Sequence, residues 1–246
     1  MFDLQGYEVS ILKGALLTIE VALLSLLLAV ILGMLGALAK LSHYRIARYV
    51  ATLYTTVIRG IPDLVLMMLI FFGGQILVNN GLHYINESLN QWFASSDPTH
   101  VWVPYVPDYV DVSPFIAGVI TIGFIFGAYM AETFRGAIMA VDSGELEAGK
   151  AYGMSPFLAF RRILLPQMVR HALPGFGNNW LVLLKTTALV SIIGLEDMVR
   201  VSSLAAGSTK MPFTFYMTVA LIFLLFTGIS TGLLKVVERK FSLHTR

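Results

Sequence analysis

Five stretches of this chain are long and apolar enough to be membrane helices, and no other feature of the sequence limits the fold as strongly. A bilayer core takes about 20 apolar residues per helix. The stretches run roughly from Ile11 to Leu38, Leu53 to Val78, Pro114 to Met139, Phe176 to Leu195 and Phe213 to Val237. With 57% hydrophobic residues, 13% charged residues and a mean hydropathy of +0.75, the composition falls outside the soluble globular range. The expected class is an all-α integral membrane protein with five transmembrane helices. The first stretch is expected to be retained: only Lys13 is basic near its start, beside Asp3 and Glu8, and its apolar run exceeds that of a signal peptide.

The charges set an orientation. With the N-terminus outside, the inner connections and the C-terminal tail hold Lys40, Arg45, Arg48, Arg59, Arg135, Lys150, Arg161, Arg162, Arg170, Lys235, Arg239, Lys240 and Arg246, while the outside keeps Lys13, Arg200 and Lys210. This asymmetry follows the positive-inside rule and puts the C-terminus in the cytoplasm. The outer connection, residues 79–112, has no Lys or Arg. It is aromatic (Trp92, Phe93, Trp102, Tyr105, Tyr109) and acidic (Glu87, Asp97, Asp108, Asp111), as suits an interfacial lid at headgroup level or a docking surface.

Several functions are excluded. There is no cysteine, hence no disulfide, thiolate metal site or Cys nucleophile. His43, His83, His100, His171 and His244 are scattered without ligand spacing, so no metal site is expected. A net charge of +2 gives no case for nucleic-acid binding. Residues 144–151 approach a phosphate-binding loop, but Ala151 supplies no hydroxyl for Mg²⁺ and the run follows a membrane helix instead of a strand. ATP and Mg²⁺, if used, belong to another chain, and this one carries no cofactor. Without an internal repeat or linker, residues 1–246 read as a single transmembrane domain, and five spans do not divide into inverted halves.

Between spans three and four lies EAGKAYGMSPFLAFRRILLP, Glu147 to Pro166. Ser143 is expected to cap a short helix that Gly153 stops. Ser155 is expected to cap a second, with Pro156 at its first position and Pro166 closing it. Phe157, Phe160 and Leu164 fall on one face of the second helix and Arg161 and Arg162 on another. Such a face suits a partner's groove or a lipid surface, and physics alone leaves both open.

The spacing Glu147-Ala148-Gly149-x3-Gly153-x9-Ile163-x-Leu165-Pro166 resembles the EAA loop, E-A-A-x3-G-x9-I-x-L-P, of ABC-importer permease subunits. Only Gly149 departs, at about 1 kcal/mol of helix propensity. The segments from Gly14 to Leu23, Arg59 to Leu64, Gly127 to Gly136, Leu173 to Trp180 and Lys185 to Leu189 are similar to the polar amino-acid permease subfamily, and within it to the Q-type subunit of histidine and lysine/arginine/ornithine systems. The main departure is the longer outer connection.

The resemblance implies a type I importer permease (MetI-like) fold in the bacterial cytoplasmic (inner) membrane and alternating access at the interface with a second permease, a heterodimer more readily than a homodimer. Two ABC ATPase subunits would drive it, and a periplasmic or surface-tethered binding protein would deliver a polar, cationic amino acid. The chain itself would not be an enzyme. Residues 143–166 would be the coupling loop, with Glu147, Ala148, Gly149, Gly153, Ser155, Pro156, Phe157, Phe160, Arg161, Ile163, Leu165 and Pro166 meeting the ATPase.

Ionisable residues within spans are costly and mark function or structural pairs. Glu20 and Asp63 are such residues. Glu132 and Arg135, one turn apart, read first as an ion pair. Lys185 must face protein or water. Asp63 follows Pro62, and Glu196 and Asp197 follow Gly194, where backbone breaks leave polar groups facing a cavity. Asp63, Glu132, Lys185, Thr187, Ser191, Glu196 and Asp197 are therefore the substrate-pathway candidates, with helix capping the competing role for the last two. The rival function is an ion-coupled secondary transporter or channel, which leaves the EAA-like loop unexplained.

Overall fold

The computed structural model describes residues 4–96, 99, 107 and 109–242, and these are helical almost throughout. The helices are α1 (Glu8–Leu41), α2 (Arg45–Gly60), α3 (Asp63–Ser96), α4 (Pro114–Met139), α5 (Ser143–Ala151), α6 (Pro156–Ala159), α7 (Leu165–Thr186), α8 (Met198–Thr209) and α9 (Pro212–Ser242). Five helical runs have the length and hydropathy to cross a membrane: α1, α3, α4, the run Pro156–Ile193 that contains α7, and α9. The third begins and ends where the sequence placed it.

α4 sits at the centre, its buried side chains including Ile122, Ile125, Phe126 and Met130. α1 lies along it, and the contact is made by small residues. A Cβ added to Gly36 would lie 2.9 Å from Ala131 Cβ, and one on Gly127 would lie 2.8 Å from Leu32 Cβ. In lipid the apolar surface gains nothing by leaving water, so close backbone approach and dispersion hold the pair. α7 closes the core with Leu183 and Leu184. A second cluster, with Ile11, Ala15, Met198 and Phe215, joins α1, α8 and α9 at the other end.

Two spans differ from the sequence-based boundaries. Residues 53–60 belong to α2, and the second span starts at Asp63. The break lies at Ile61, held extended (φ −111°, ψ 139°) because Pro62 disfavours helix in the residue before it. α3 then runs to Ser96, so much of the connection over residues 79–112 is helical. Its return segment is tied back by amides: Val110 N–H donates to Asn79 Oδ1 at 2.7 Å and Val112 N–H to Gln75 Oε1 at 2.9 Å. Trp102, Tyr105, Asp97, Asp108 and His100 fall outside the described residues.

The fourth span departs more. Pro166 does not close a helix: α6 passes into a π turn, Phe160–Leu164, and on into α7. Leu165 N–H bonds to Phe160 O, five residues back, which shifts the hydrogen-bond register just before the proline that lacks a donor. After α7 a 3₁₀ segment, Thr187–Ile193, ends at left-handed Gly194 (φ +99°).

Candidate functional site

The connection between α4 and α7 is a helix–turn–helix elbow. Asp142 caps α5, its Oδ1 accepting the Gly144 N–H at 2.8 Å. Ser143 is the first helical residue and not the cap, because the extended backbone at Asp142 already aims a carboxylate at the open N–H groups. At the other end Gly153 (φ +79°) donates to Lys150 O at 2.9 Å and Met154 N–H donates to Gly149 O at 3.0 Å. This is a Schellman stop, and it needs a residue free to be left-handed. Ser155 Oγ accepts the Leu158 N–H at 3.3 Å with Pro156 at the first position.

The elbow is braced against α7. A Cβ on Gly149 would meet Ile163 Cδ1 at 2.6 Å, so the glycine and the isoleucine of the motif pack on each other. Gln167 Nε2 donates to Glu145 Oε2 across the same corner. Leu164 and Leu165 pack against the core. Leu164 therefore does not share a face with Phe157 and Phe160, because the π turn adds a residue and rotates the rest of the helix. The tip is bare: Tyr152 is 87% exposed and Phe157 71%. Glu147, Ala148, Phe160, Arg161 and Arg162 are exposed around it.

The substrate-pathway candidates separate into paired and unpaired groups. Glu132 receives Arg135 Nε at 3.0 Å and also Lys40 Nζ, which in turn donates to Thr55 Oγ1 at 2.8 Å. This joins α1, α2 and α4. Thr187 and Ser191 turn their hydroxyls back on Leu184 O and Ala188 O, each at 2.7 Å. Asp197 is 1% exposed and caps α8, its Oδ1 accepting the Arg200 N–H at 2.9 Å. Its Oδ2 has no hydrogen-bond partner among the described residues, and burial pushes the carboxyl up to about 6. Glu196 is exposed and lines a cleft of about 450 Å³ with Tyr7, Lys13 and Leu204. Asp63 opens α3 half-buried, four residues after Arg59, whose guanidinium carbon lies 5.6 Å from the centre of the Tyr129 ring on α4. Lys185, in the last turn of α7, is exposed.

This chain's family is established by comparison with known proteins. Residues 19–243 match the model of the binding-protein-dependent transport system inner membrane component. The chain belongs to that family. It is therefore an inner-membrane component of a transport system and not an enzyme. It is 48% identical, over 99% of its length and 98% of the relative's, to the histidine/lysine/arginine/ornithine transport system permease protein HisQ of Salmonella typhimurium (strain LT2). The octopine transport system permease protein OccQ of Rhizobium radiobacter is 38% identical, over 97% of this chain and 93% of that protein. Among solved structures, the crystal structure of an amino acid ABC transporter with histidines superposes with a TM-score of 0.73 at 30% identity, covering 95% of each chain. The MetI-like type I importer fold expected from the resemblance is thus present.

Sequence reasoning missed two partners at this transport component's elbow and ion pair. Lys40 is signalled only as a cation at the end of a span. The Glu145–Gln167 contact joins residues 22 apart through a π turn that no local pattern announces.

Proposed function

We propose that this chain is the permease subunit of an ATP-driven importer of polar, cationic amino acids, with its elbow as the joint to the ATPase. The observation that carries this reading is the elbow itself: capped, braced against α7 and aromatic at a bare tip. Tyr152 and Phe157 are anchors of the kind that fill pockets on a partner. The kinship with permeases named for histidine, lysine, arginine, ornithine and octopine transport supports the substrate class.

In this account the N-terminus lies outside and the C-terminus inside, in keeping with the Lys and Arg asymmetry. Two ABC ATPase subunits bind ATP and Mg²⁺, a binding protein delivers substrate, and a second, related permease completes the pathway in a heterodimer. Closure of the ATPases pulls the paired elbows together and opens the site outward. Asp63, Glu196 and Lys185 supply the ionic side chains of the pathway. Glu132 and Asp197 hold helices in place, and Thr187 and Ser191 serve helix packing.

The test is uptake of labelled arginine, histidine and lysine into proteoliposomes holding this chain with its permease, ATPase and binding-protein partners. Uptake that needs ATP and the binding protein is the expected result. Uptake driven by a proton or sodium gradient without the ATPase would replace the reading with a secondary transporter.

A further inference from the structure

The turn between α1 and α2 carries positive charge that no described residue balances. Between Glu20 and Asp63 the chain has no acidic residue, while Lys40, Arg45, Arg48 and Arg59 fall in that stretch. Lys40 is satisfied by Glu132, and Arg59 lies against the Tyr129 ring. Arg45 and Arg48 are exposed, and their side chains form no hydrogen bond or ion pair with any described residue. They stand in the first four residues of α2, which has no acid in its first turn and no side-chain cap. Cations there oppose the helix dipole unless an anion stands beside them. Tyr44 and Tyr49 are exposed around them, as aromatic residues are at headgroup level.

An apolar groove of about 450 Å³ runs from this turn between the two helices. Leu32, Gly36 and Ala39 of α1 form one wall, and Ala47, Ala51 and Tyr54 of α2 the other. Most of these side chains are small, which leaves the space open. At the far end Tyr54 Oη donates to Phe124 O of α4 at 2.5 Å. From Arg45 to Tyr54 is about 14 Å along the helix, close to half of a hydrocarbon core of about 30 Å. The groove therefore has the depth of one acyl chain within one leaflet, and the two arginines stand where the headgroup of that chain belongs.

We infer that the groove between α1 and α2 binds an anionic phospholipid of the inner leaflet, with its phosphate on Arg45 and Arg48 and one acyl chain laid along the groove to Tyr54. The inference goes beyond the importer reading and rests on its orientation, which puts this turn inside. A guanidinium suits a phosphate because it offers two parallel donors. Basic side chains beside a gap between membrane helices on the cytoplasmic side are the pattern that holds such headgroups. The bound lipid fastens α2 to α1 and α4 just before the break at Ile61 from which the second span starts.

The test uses this chain assembled with its partner subunits, stripped of lipid in detergent and titrated with phosphatidylglycerol or phosphatidylcholine of the same acyl chains. Native mass spectrometry reads the bound lipid. Wild type is expected to prefer phosphatidylglycerol by about thirtyfold, from about 1 kcal/mol for each of two basic residues. Arg45→Gln/Arg48→Gln is expected to erase that preference, and Ala47→Leu, which fills the groove, to weaken both lipids. Lys235→Gln/Lys240→Gln, which removes two exposed cations from the end of α9, is expected to keep the preference. An equal loss in both double variants would make the attraction diffuse and overturn the site, as would a wild type that binds the two lipids alike. The chain has no cysteine, so Tyr44→Cys reports the side of the turn. Its labelling from outside right-side-out vesicles by an impermeant maleimide would refute the orientation instead, whatever the titration shows.

Discussion

Replacing Gly149 with alanine tests whether the elbow is a packed joint. Gly149 lies inside α5, where alanine gains about 1 kcal/mol in helix propensity. The new methyl would sit 2.6 Å from Ile163 Cδ1, about 1 Å inside contact distance. That atom is the far end of a flexible side chain, so Ile163 can turn away, at about 0.5 to 1.5 kcal/mol if it leaves its rotamer. The two effects nearly cancel, and Gly149→Ala alone is expected to leave stability within about 0.5 kcal/mol of wild type. Ile163→Val removes the obstructing methyl and is expected to cost about 0.5 kcal/mol at this half-buried site. With both changes the alanine meets no clash, so the double variant should be more stable than the sum of the singles by about 1 kcal/mol. Thermal unfolding of the four proteins in nanodiscs measures this coupling. Additivity within about 0.3 kcal/mol would refute the packing of Gly149 on Ile163.

The same geometry sets three further outcomes. Gly153→Ala places a Cβ in a left-handed residue (φ +79°) and is expected to cost about 1 kcal/mol, with Gly153→Asn less harmful; equal costs in thermal unfolding would contradict the conformational cause. Lys40→Met strips a cation from a carboxylate whose side chain is only 21% exposed and is expected to destabilise by about 2 kcal/mol, so an unchanged melting temperature would show the clasp to be idle. Burial pushes the Asp197 carboxyl up to about 6, so the folded state binds the proton more tightly than the unfolded one and the charged form costs stability. Asp197→Asn keeps the cap and is expected to raise stability at pH 7.5, by up to about 3 kcal/mol, with the advantage fading as pH falls from 6 towards 4. A gain independent of pH would refute that cause.

Much of this fold is written in local chemistry. Apolar length marks the spans, and Gly153, Ser155 and Pro156 mark the turn of the elbow through a left-handed stop, a cap and a preset first residue. The sequence also shows the Glu132–Arg135 pair, because three residues make one turn. The features it hides depend on register and on neighbours far along the chain. The π turn before Pro166 carries the helix through a residue that looks like an end. Asp142 takes the cap that Ser143 offers in the sequence.

The central claim, that the elbow docks on the ATPase, is tested most directly by site-directed cross-linking. Phe157→Cys, at the bare tip, and Trp92→Cys, near the far end of α3, are each assembled with the partner subunits and treated with a short thiol-to-amine cross-linker. The account predicts a covalent adduct of this chain with the ATPase subunit from Phe157→Cys and none from Trp92→Cys. An assembled, ATP-hydrolysing complex in which Phe157→Cys yields no such adduct would contradict it.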